Sequence, residues 1–419
     1  MSQNIYRALL VMLIISLWIT SLEVSFLASL LVILVGFKSK VSKPTFEFIG
    51  TLMLLFFIGF FSGIRENDGL FSFIKDSVYF IRPITVLIAG YLLVSNLDNK
   101  KEFFNIIVLV GFVFAFIHVA RIGFQNTGIN FTVDSLRNNF GRTNHLELVA
   151  LFLAIVVKDL PIKKFRSKLF YKIFVSILAI SFLLYFSRTM IMVLALMLLA
   201  YYGYLKLNAK GVIYLLVLSS LATGFVIFLN NYEPTKDESV FNTFMWKMKN
   251  SYEEAFKPID VDKTLLDKRT LWGHWRAYEA NLVYSEVDEQ ENWLFGKGFG
   301  STVDVGFEIK LQGEWIRHLP MVHNGLAYVY LKTGIVGLIV YSMCFLFLYS
   351  YFYKRGDDEN DLFFNQMLAS YAFYFLISSM VITGIFRPYD MVTLLIGGTF
   401  ALKQHNRFEN RDSRDPRDS

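Results

Sequence analysis

The sequence predicts an all-α polytopic membrane protein with about twelve transmembrane helices and one large, mainly helical extracytoplasmic loop. Three observations support this fold class. Hydrophobic residues make up 54% of the 419 residues, and the mean hydropathy of +0.45 is far above that of a soluble domain. Apolar segments of nearly bilayer length recur along the chain. Lysine-rich loops alternate with lysine-poor loops between them.

A spanning helix needs roughly 20 apolar residues, or about 17 where its ends reach the interface. The predicted spans are residues 6–20, 22–37, 46–64, 78–95, 103–120, 146–158, 170–186, 190–204, 212–229, 335–353, 366–385 and 391–402. The first two of these spans are also compatible with a single re-entrant hairpin.

Lysine residues are concentrated in every second loop, at 38–43, 100–101, 158–168 and 206–210. Positively charged short loops stay in the cytoplasm, so both termini are expected inside. The polar residues 230–322 are then expected on the opposite side of the membrane, in the periplasm or at the cell exterior. The net charge of +6 is divided among these short basic runs, a pattern that indicates topology and not nucleic-acid binding.

Four regions follow from this pattern. An N-terminal bundle of about nine spans covers residues 1–229, and a periplasmic loop subdomain covers residues 230–322. Within that loop, helical spacing covers 241–257 and 264–284, and 293–300 is predicted to be a turn. About three C-terminal spans cover residues 323–403, and the polar tail 404–419 predicts cytoplasmic disorder. Cys344 is the only cysteine, so the loop cannot contain a disulfide.

The most informative short segment is His323-Asn324-Gly325, where the long loop re-enters the membrane. It places an imidazole at the depth of a lipid head group, where it could act as a general base. The alternative is a structural histidine beside a helix start, with Gly334 and Gly337 allowing close helix packing.

Arginines on the same side of the membrane form the second candidate feature. Arg188 lies between two apolar segments with almost no loop, and an arginine at membrane depth costs roughly 2.5–3.5 kcal/mol on insertion scales. Its partner is a carboxylate, the carbonyl groups of a helix C-terminus, or a phosphate that the guanidinium binds with two parallel hydrogen bonds. The other arginines on the outer side are Arg137, Arg142, Arg269 and Arg276. Together with Arg188 and His323, they predict an anion-binding site that contains a general base.

Other polar motifs carry less information. The segment 296–300 imitates a nucleotide-binding loop, but without a strand–turn–helix context it predicts a turn. Glu66 and Asp68 form a carboxylate pair that a metal-dependent transferase could use, although such pairs are usually solvated turns. His118 and His145 lack metal-spaced partners and are expected to be structural. No metal site and no cofactor are therefore predicted.

The arrangement of these motifs resembles the bacterial O-antigen polymerases and O-antigen ligases, which share a membrane domain. The resemblance covers about residues 180–345, and the N-terminal half matches only in hydropathy. The family usually places its loop arginine a few residues before a tryptophan. Here Arg269 precedes Trp272 while Arg276 follows Trp275, and Arg269 is favoured. The matching elements in chain order are Ser187-Arg188-Thr189, Arg269 with Trp272, Leu294-Phe295-Gly296-Lys297-Gly298-Phe299-Gly300, His323-Asn324, and the glycines through Gly337.

This resemblance implies an inverting, metal-independent glycosyltransferase that uses undecaprenyl-pyrophosphate-linked glycan outside the cytoplasmic membrane. The acceptor would be another lipid-linked repeat unit in a polymerase, which is favoured, or the lipid A–core glycolipid in a ligase. Membrane lipids and polysaccharide assembly proteins are the other expected partners. The implied roles are general base for His323, pyrophosphate binding for Arg188, Arg269 and Arg276, and further substrate contacts for Arg137, Arg142 and Asn324.

A lipid-linked glycan flippase is the alternative from another class. It should carry several charged residues inside its spans and show internal repeats. The predicted spans contain few charges, chiefly Glu23 and Arg82, and no repeat is evident. The sequence therefore favours the transferase.

Overall fold

The computed structural model describes residues 2–19, 21–37, 41–65, 69–124, 132–133, 135–142, 144–162, 168–232, 234–235, 239–251, 274–289, 291–311 and 313–412.

Each of the twelve apolar segments contains a helix. Among the described residues, five helices are long and apolar enough to cross a membrane, namely α3, α4, α5, α9 and α12, and several shorter helices are also apolar. The chain is thus a helical membrane protein. The helices are α1 (Gln3–Ile19), α2 (Leu22–Gly36), α3 (Lys43–Arg65), α4 (Leu70–Asn96), α5 (Glu102–Phe124), α6 (His145–Val156), α7 (Lys168–Leu184), α8 (Arg188–Tyr201), α9 (Ala209–Tyr232), α10 (Val240–Lys249), α11 (Trp275–Glu289), α12 (Gly325–Tyr349), α13 (Glu359–Val381) and α14 (Val392–Asp412).

Helix α4 is the most enclosed of the long helices and packs against α2 and α14. It carries the fully buried Arg82, whose guanidinium donates to Ser25 Oγ at 2.7 Å and to the carbonyl oxygens of Arg387 at 3.0 Å and Pro388 at 2.6 Å. An intramembrane arginine needs such partners. Its contacts fix the loop between α13 and α14 against α4.

The long loop contains α10, α11 and a β-hairpin of β1 (Val303–Leu311) and β2 (Glu314–Leu319). The strands are antiparallel, and Leu311 pairs with Glu314 across a turn that contains Gly313. The prediction of a mainly helical loop missed this hairpin. Buried Val303, Val305 and Ile309 alternate with polar residues, which is the period of a strand with one buried face.

The two helices predicted in the loop are partly present. Helix α10 ends at Lys249, short of the predicted limit of 257, and α11 begins at Trp275 and continues to Glu289, beyond the predicted limit of 284. Residues 252–273 lie outside the described residues.

The turn at residues 293–300 is confirmed, and it docks into a break in α12. Gly334 has φ +62°, which interrupts the helix. Backbone groups freed there bond to the turn, because Ile335 N donates to Trp293 O at 2.9 Å and Lys297 N donates to Leu331 O at 2.8 Å. The glycines allow this contact, since a Cβ on Gly296 would lie 2.6 Å from Gly334 N. The glycine-rich segment therefore has a structural role.

A buried ion pair fixes the same region to α4. Lys332 Nζ donates to Asp76 Oδ2 at 2.5 Å, and the backbone N of Gly300 donates to the same oxygen at 2.8 Å. Both charged side chains are buried, so each compensates the desolvation of the other. This pair links α4, the glycine-rich turn and α12.

The prediction of disorder from residue 404 is wrong for residues 404–412, because α14 continues to Asp412. Asp358, which caps α13, accepts hydrogen bonds from the amide groups of Asn406 at 3.0 Å and Asn410. Hydrophobicity alone does not reveal this polar docking. Residues 413–419 lie outside the described residues.

Candidate functional site

His323 lies between β2 and α12, at the N-terminus of that helix. Asn324 is the N-cap residue, and its Oδ1 accepts hydrogen bonds from Leu326 N at 3.0 Å and Ala327 N at 3.1 Å. Gly325 N donates to Ile382 O at 3.1 Å, which holds the segment against the end of α13. The side-chain oxygen of Asn324 thus has a structural role, and substrate contact by its amide stays a prediction.

A carboxylate that the sequence did not indicate orients the imidazole of His323. Glu279 on α11 accepts hydrogen bonds from His323 Nδ1 at 2.9 Å, from His323 N at 2.8 Å and from Trp275 Nε1 at 2.6 Å. The side chain of Glu279 is 1% exposed, whereas that of His323 is 53% exposed. When Nδ1 donates its proton to this carboxylate, the lone pair of the neutral ring is on Nε2. The pair therefore has the arrangement of an oriented general base.

Three arginines gather beside this pair. Arg276 lies three residues before Glu279 on α11, so the two side chains share one helix face. Arg387 follows α13 in the loop held by Arg82. Burial lowers the pKa of the Arg387 guanidinium, and the positive charges of Arg276 and Arg137 lower it further.

The charge of Arg387 is not neutralised within the part of the chain that the structure describes. No described residue provides its guanidinium with a hydrogen bond or an ion pair, and its nearest aromatic contact is the ring of Tyr389 at 5.9 Å. Like charges repel, so this cluster favours an anion between its members. Phosphate, like carboxylate, is an anion that guanidinium binds with two parallel hydrogen bonds.

Arg137 also shapes the turn that precedes α8. Its Nε donates to Tyr185 O at 3.1 Å and its Nη2 donates to Phe186 O at 3.2 Å. Phe186 has φ +47°, an uncommon conformation for a bulky residue. The exposed Arg142 adds a bond from its backbone N to Tyr185 OH at 3.3 Å.

Arg188 contacts the end of α10. Its Nη1 donates to the carbonyl oxygen of Lys247 and to Ser251 Oγ at 2.7 Å. The sequence offered three kinds of partner for Arg188, and carbonyl groups of a helix C-terminus are one of them. A contact between Arg188 and a phosphate stays a prediction. Arg269 lies outside the described residues.

The remaining candidates have structural surroundings or lie outside the described residues. His118 hydrogen-bonds with Ser181 Oγ at 2.9 Å and with Leu136 O at 3.0 Å, and His145 hydrogen-bonds with Tyr374 OH at 3.2 Å. Glu66 and Asp68 are not described. Among the described residues, no group of three His, Cys, Asp or Glu side chains could hold a metal ion.

Glu279 and Arg387 are the site residues that sequence reasoning missed. The spacing of Trp275, Arg276 and Glu279 on one helix face was a usable signal, since the three lie within one turn and a half. Arg387 lies in a short connection between two predicted spans, and its position depends on the contacts of Arg82 with the neighbouring backbone.

No protein-family model matches this chain, and no curated protein matches its sequence.

Proposed function

We propose that this protein is an inverting, metal-independent glycosyltransferase that acts on undecaprenyl-pyrophosphate-linked glycan at the outer face of a bacterial cytoplasmic membrane. We further propose that it polymerises polysaccharide repeat units. One observation carries the proposal: the exposed imidazole of His323 is oriented by the buried Glu279, beside Arg276 and the uncompensated Arg387.

The base would act on a sugar hydroxyl of the acceptor. As this oxygen attacks the anomeric carbon of the donor, His323 Nε2 accepts its proton, and the charge of Glu279 stabilises the imidazolium that forms. An imidazole suits this role, because histidine is the side chain that most often serves as a general base in enzymes. A positioned base contributes about 10²–10⁴-fold in rate.

The arginines would act on the leaving group. The bond from the anomeric carbon to the pyrophosphate oxygen breaks as the new glycosidic bond forms, and undecaprenyl pyrophosphate leaves with both electrons of that bond. Its growing negative charge is stabilised by Arg276 and Arg387, with Arg137 nearby. Direct displacement inverts the anomeric configuration and requires no covalent enzyme intermediate.

The membrane orientation belongs to the same proposal. We propose twelve spans with both termini cytoplasmic, which puts residues 230–322 outside. Under this topology the N-termini of α6, α8, α12 and α14 share the outer side with the loop, and the lysine-rich connections lie inside. The donor would then approach from the outer leaflet, where polysaccharide assembly proteins could also bind.

The test is transfer by purified protein. The protein in detergent with EDTA is incubated with undecaprenyl-pyrophosphate-linked repeat units, and products are separated by gel electrophoresis and mass spectrometry. Longer lipid-linked glycans are expected. Transfer only to added lipid A–core would identify a ligase, loss of activity with EDTA would contradict metal independence, and absence of transfer to either acceptor would contradict the transferase assignment.

A further inference from the structure

The first turn of α6 contains two buried polar groups that the described residues leave without partners. These are Nδ2 of Asn144, whose side chain is 4% exposed, and Oε2 of Glu147, which is fully buried. The other carboxylate oxygen of Glu147 accepts a hydrogen bond from Tyr185 OH at 3.3 Å. An unpaired amide nitrogen and an unpaired carboxyl oxygen therefore lie three residues apart, on the same face of one helix.

The spacing of Asn144 and Glu147 permits local hydrogen bonds to the backbone at the start of α6, but the Asn144 side chain makes none of them. Asn144 is the N-cap residue and Glu147 is the third helical residue, which is the spacing of a capping box. Asn144, however, has φ −96° and ψ 18°, and its side chain makes no capping hydrogen bond. Leaving buried polar groups unpaired is unfavourable, so this arrangement indicates a further hydrogen-bonding partner.

This turn adjoins the arginine cluster. The His145 ring, next to Asn144, lies 6.3 Å from the ring of Tyr389, which in turn faces the guanidinium of Arg387. On the other side, Tyr185 bonds both to Glu147 through its hydroxyl and to Arg137 through its carbonyl oxygen. Asn144 and Glu147 are therefore linked through their neighbours to both Arg387 and Arg137.

The chemistry of the pair identifies its ligand. An amide NH₂ group at a helix N-terminus disfavours a cation. A hydroxyl group satisfies both side chains, because it accepts from the amide and can either donate to an ionised carboxyl group or accept from a protonated one. We infer that Asn144 and Glu147 form a subsite for a hydroxyl of the glycan that the pyrophosphate carries.

This inference rests on the proposed function. The same chemistry would also suit a water molecule enclosed by the two side chains, so the experiment must separate a glycan hydroxyl from water. Both atoms are covered, and neighbouring side chains must therefore move aside when the glycan binds.

The test compares two ligands on the full chain in nanodiscs: undecaprenyl pyrophosphate that carries the glycan repeat unit, and bare undecaprenyl pyrophosphate. Affinities are measured for the parent and for Glu147→Gln and Asn144→Ala. Glu147→Gln keeps an oxygen that can accept from Tyr185 OH but replaces the other carboxyl oxygen by an NH₂ group, and Asn144→Ala removes the amide. We expect about 10- to 100-fold weaker binding of the glycan-bearing lipid and unchanged binding of the bare lipid.

Asn365→Ala is the matched control. Asn365 is equally buried, but its amide bonds to Lys403 and to the carbonyl oxygen of Lys354 at the other end of the helices. It should bind both lipids as the parent does. Unchanged affinities in the Asn144 and Glu147 variants would identify water as the partner and overturn the inference. Equal losses for both lipids would also overturn it, and a parent that binds neither lipid would contradict the proposed function itself.

Discussion

His323 can serve as a base only if one ring nitrogen is held by a partner while the other stays accessible. Glu279 provides that partner from α11, 44 residues earlier in the chain. The carboxylate is almost completely buried and also accepts hydrogen bonds from Trp275 Nε1 and from the His323 backbone, so its position is fixed by three donors. A carboxylate held in this way both selects the tautomer and stabilises the protonated ring.

Glu279→Gln tests this role, because glutamine retains the shape and can still accept a hydrogen bond but carries no charge. We expect transfer to fall by at least about 10-fold, with a loss of up to about 10⁴-fold known for the carboxylate of a catalytic triad. An unchanged rate would show that Glu279 has only a structural role.

Arg188→Lys distinguishes a phosphate-binding role of Arg188 from a structural role at the end of α10. Lysine keeps the charge and can still donate to the carbonyl of Lys247, but it cannot form two parallel bonds to a phosphate. If Arg188 binds pyrophosphate during the reaction, transfer falls by about 10-fold or more while membrane insertion stays normal. The control is Arg317→Lys on the exposed hairpin, where Arg317 pairs with Asp304. Parental transfer by the Arg188 variant would assign the residue to holding α10.

At the residue scale the sequence located His323 because the change from a polar loop to an apolar span is visible in composition. It did not locate Glu279, because the pairing depends on how α11 packs near the start of α12. Arg188 was recognised from the cost of a charge at membrane depth, but its contact with Lys247 O required the fold of the long loop.

At the scale of elements, the break in α12 determines where the site lies. Gly334 has positive φ, and a Cβ there would meet the carbonyl group of Leu294 at 2.4 Å. The glycine-rich turn fits into this break and reaches the buried pair of Asp76 and Lys332 through Gly300. The start of α12, which carries His323, is thereby tied to the membrane bundle.

Gly334→Ala should disrupt this contact. At φ +62° and ψ −162° the backbone lies in a region that essentially only glycine occupies, which costs an alanine roughly 1–3 kcal/mol. The contact with Leu294 adds to that cost. We expect a lower melting temperature in detergent and reduced transfer. Gly50→Ala is the control, because Gly50 lies in α3 with no atom within 4 Å of an added Cβ. It should be neutral or slightly stabilising, and equal melting temperatures for both variants would contradict the role of the break.

The sequence predicted the turn at 293–300 but not its partner, because a break at Gly334 leaves no signal in hydropathy. The β-hairpin was missed for a different reason. Its alternating pattern covers one short segment of a long polar loop, and the earlier part of that loop has helical spacing.

At the scale of the whole molecule, the positions of the helices were the most predictable feature. Backbone N–H and C=O groups inside a bilayer must form hydrogen bonds within their own spanning segment. The length of an apolar segment alone therefore indicates a helix. The polar extension of α14 was not predictable in this way, since it depends on Asp358 pairing with Asn406 and Asn410.

The orientation is tested by cysteine labelling. Cys344 is the only cysteine and is buried, so Cys344→Ala gives a cysteine-free parent. In that background, Glu308→Cys on the exposed face of β1 should react with an impermeant thiol reagent in intact spheroplasts. Glu359→Cys at the start of α13 should react only after permeabilisation. The reverse pattern would put His323 on the cytoplasmic side and contradict the proposed topology.

The most direct test of the central claim is the rate of transfer by purified His323→Gln at saturating lipid-linked donor. Glutamine retains hydrogen bonding to Glu279 but has no basic nitrogen, so its fold and donor binding should match those of the parent. If His323 is the base, we predict a rate about 10²–10⁴-fold below that of the parent. A rate equal to that of the parent, with donor binding intact, would contradict the account.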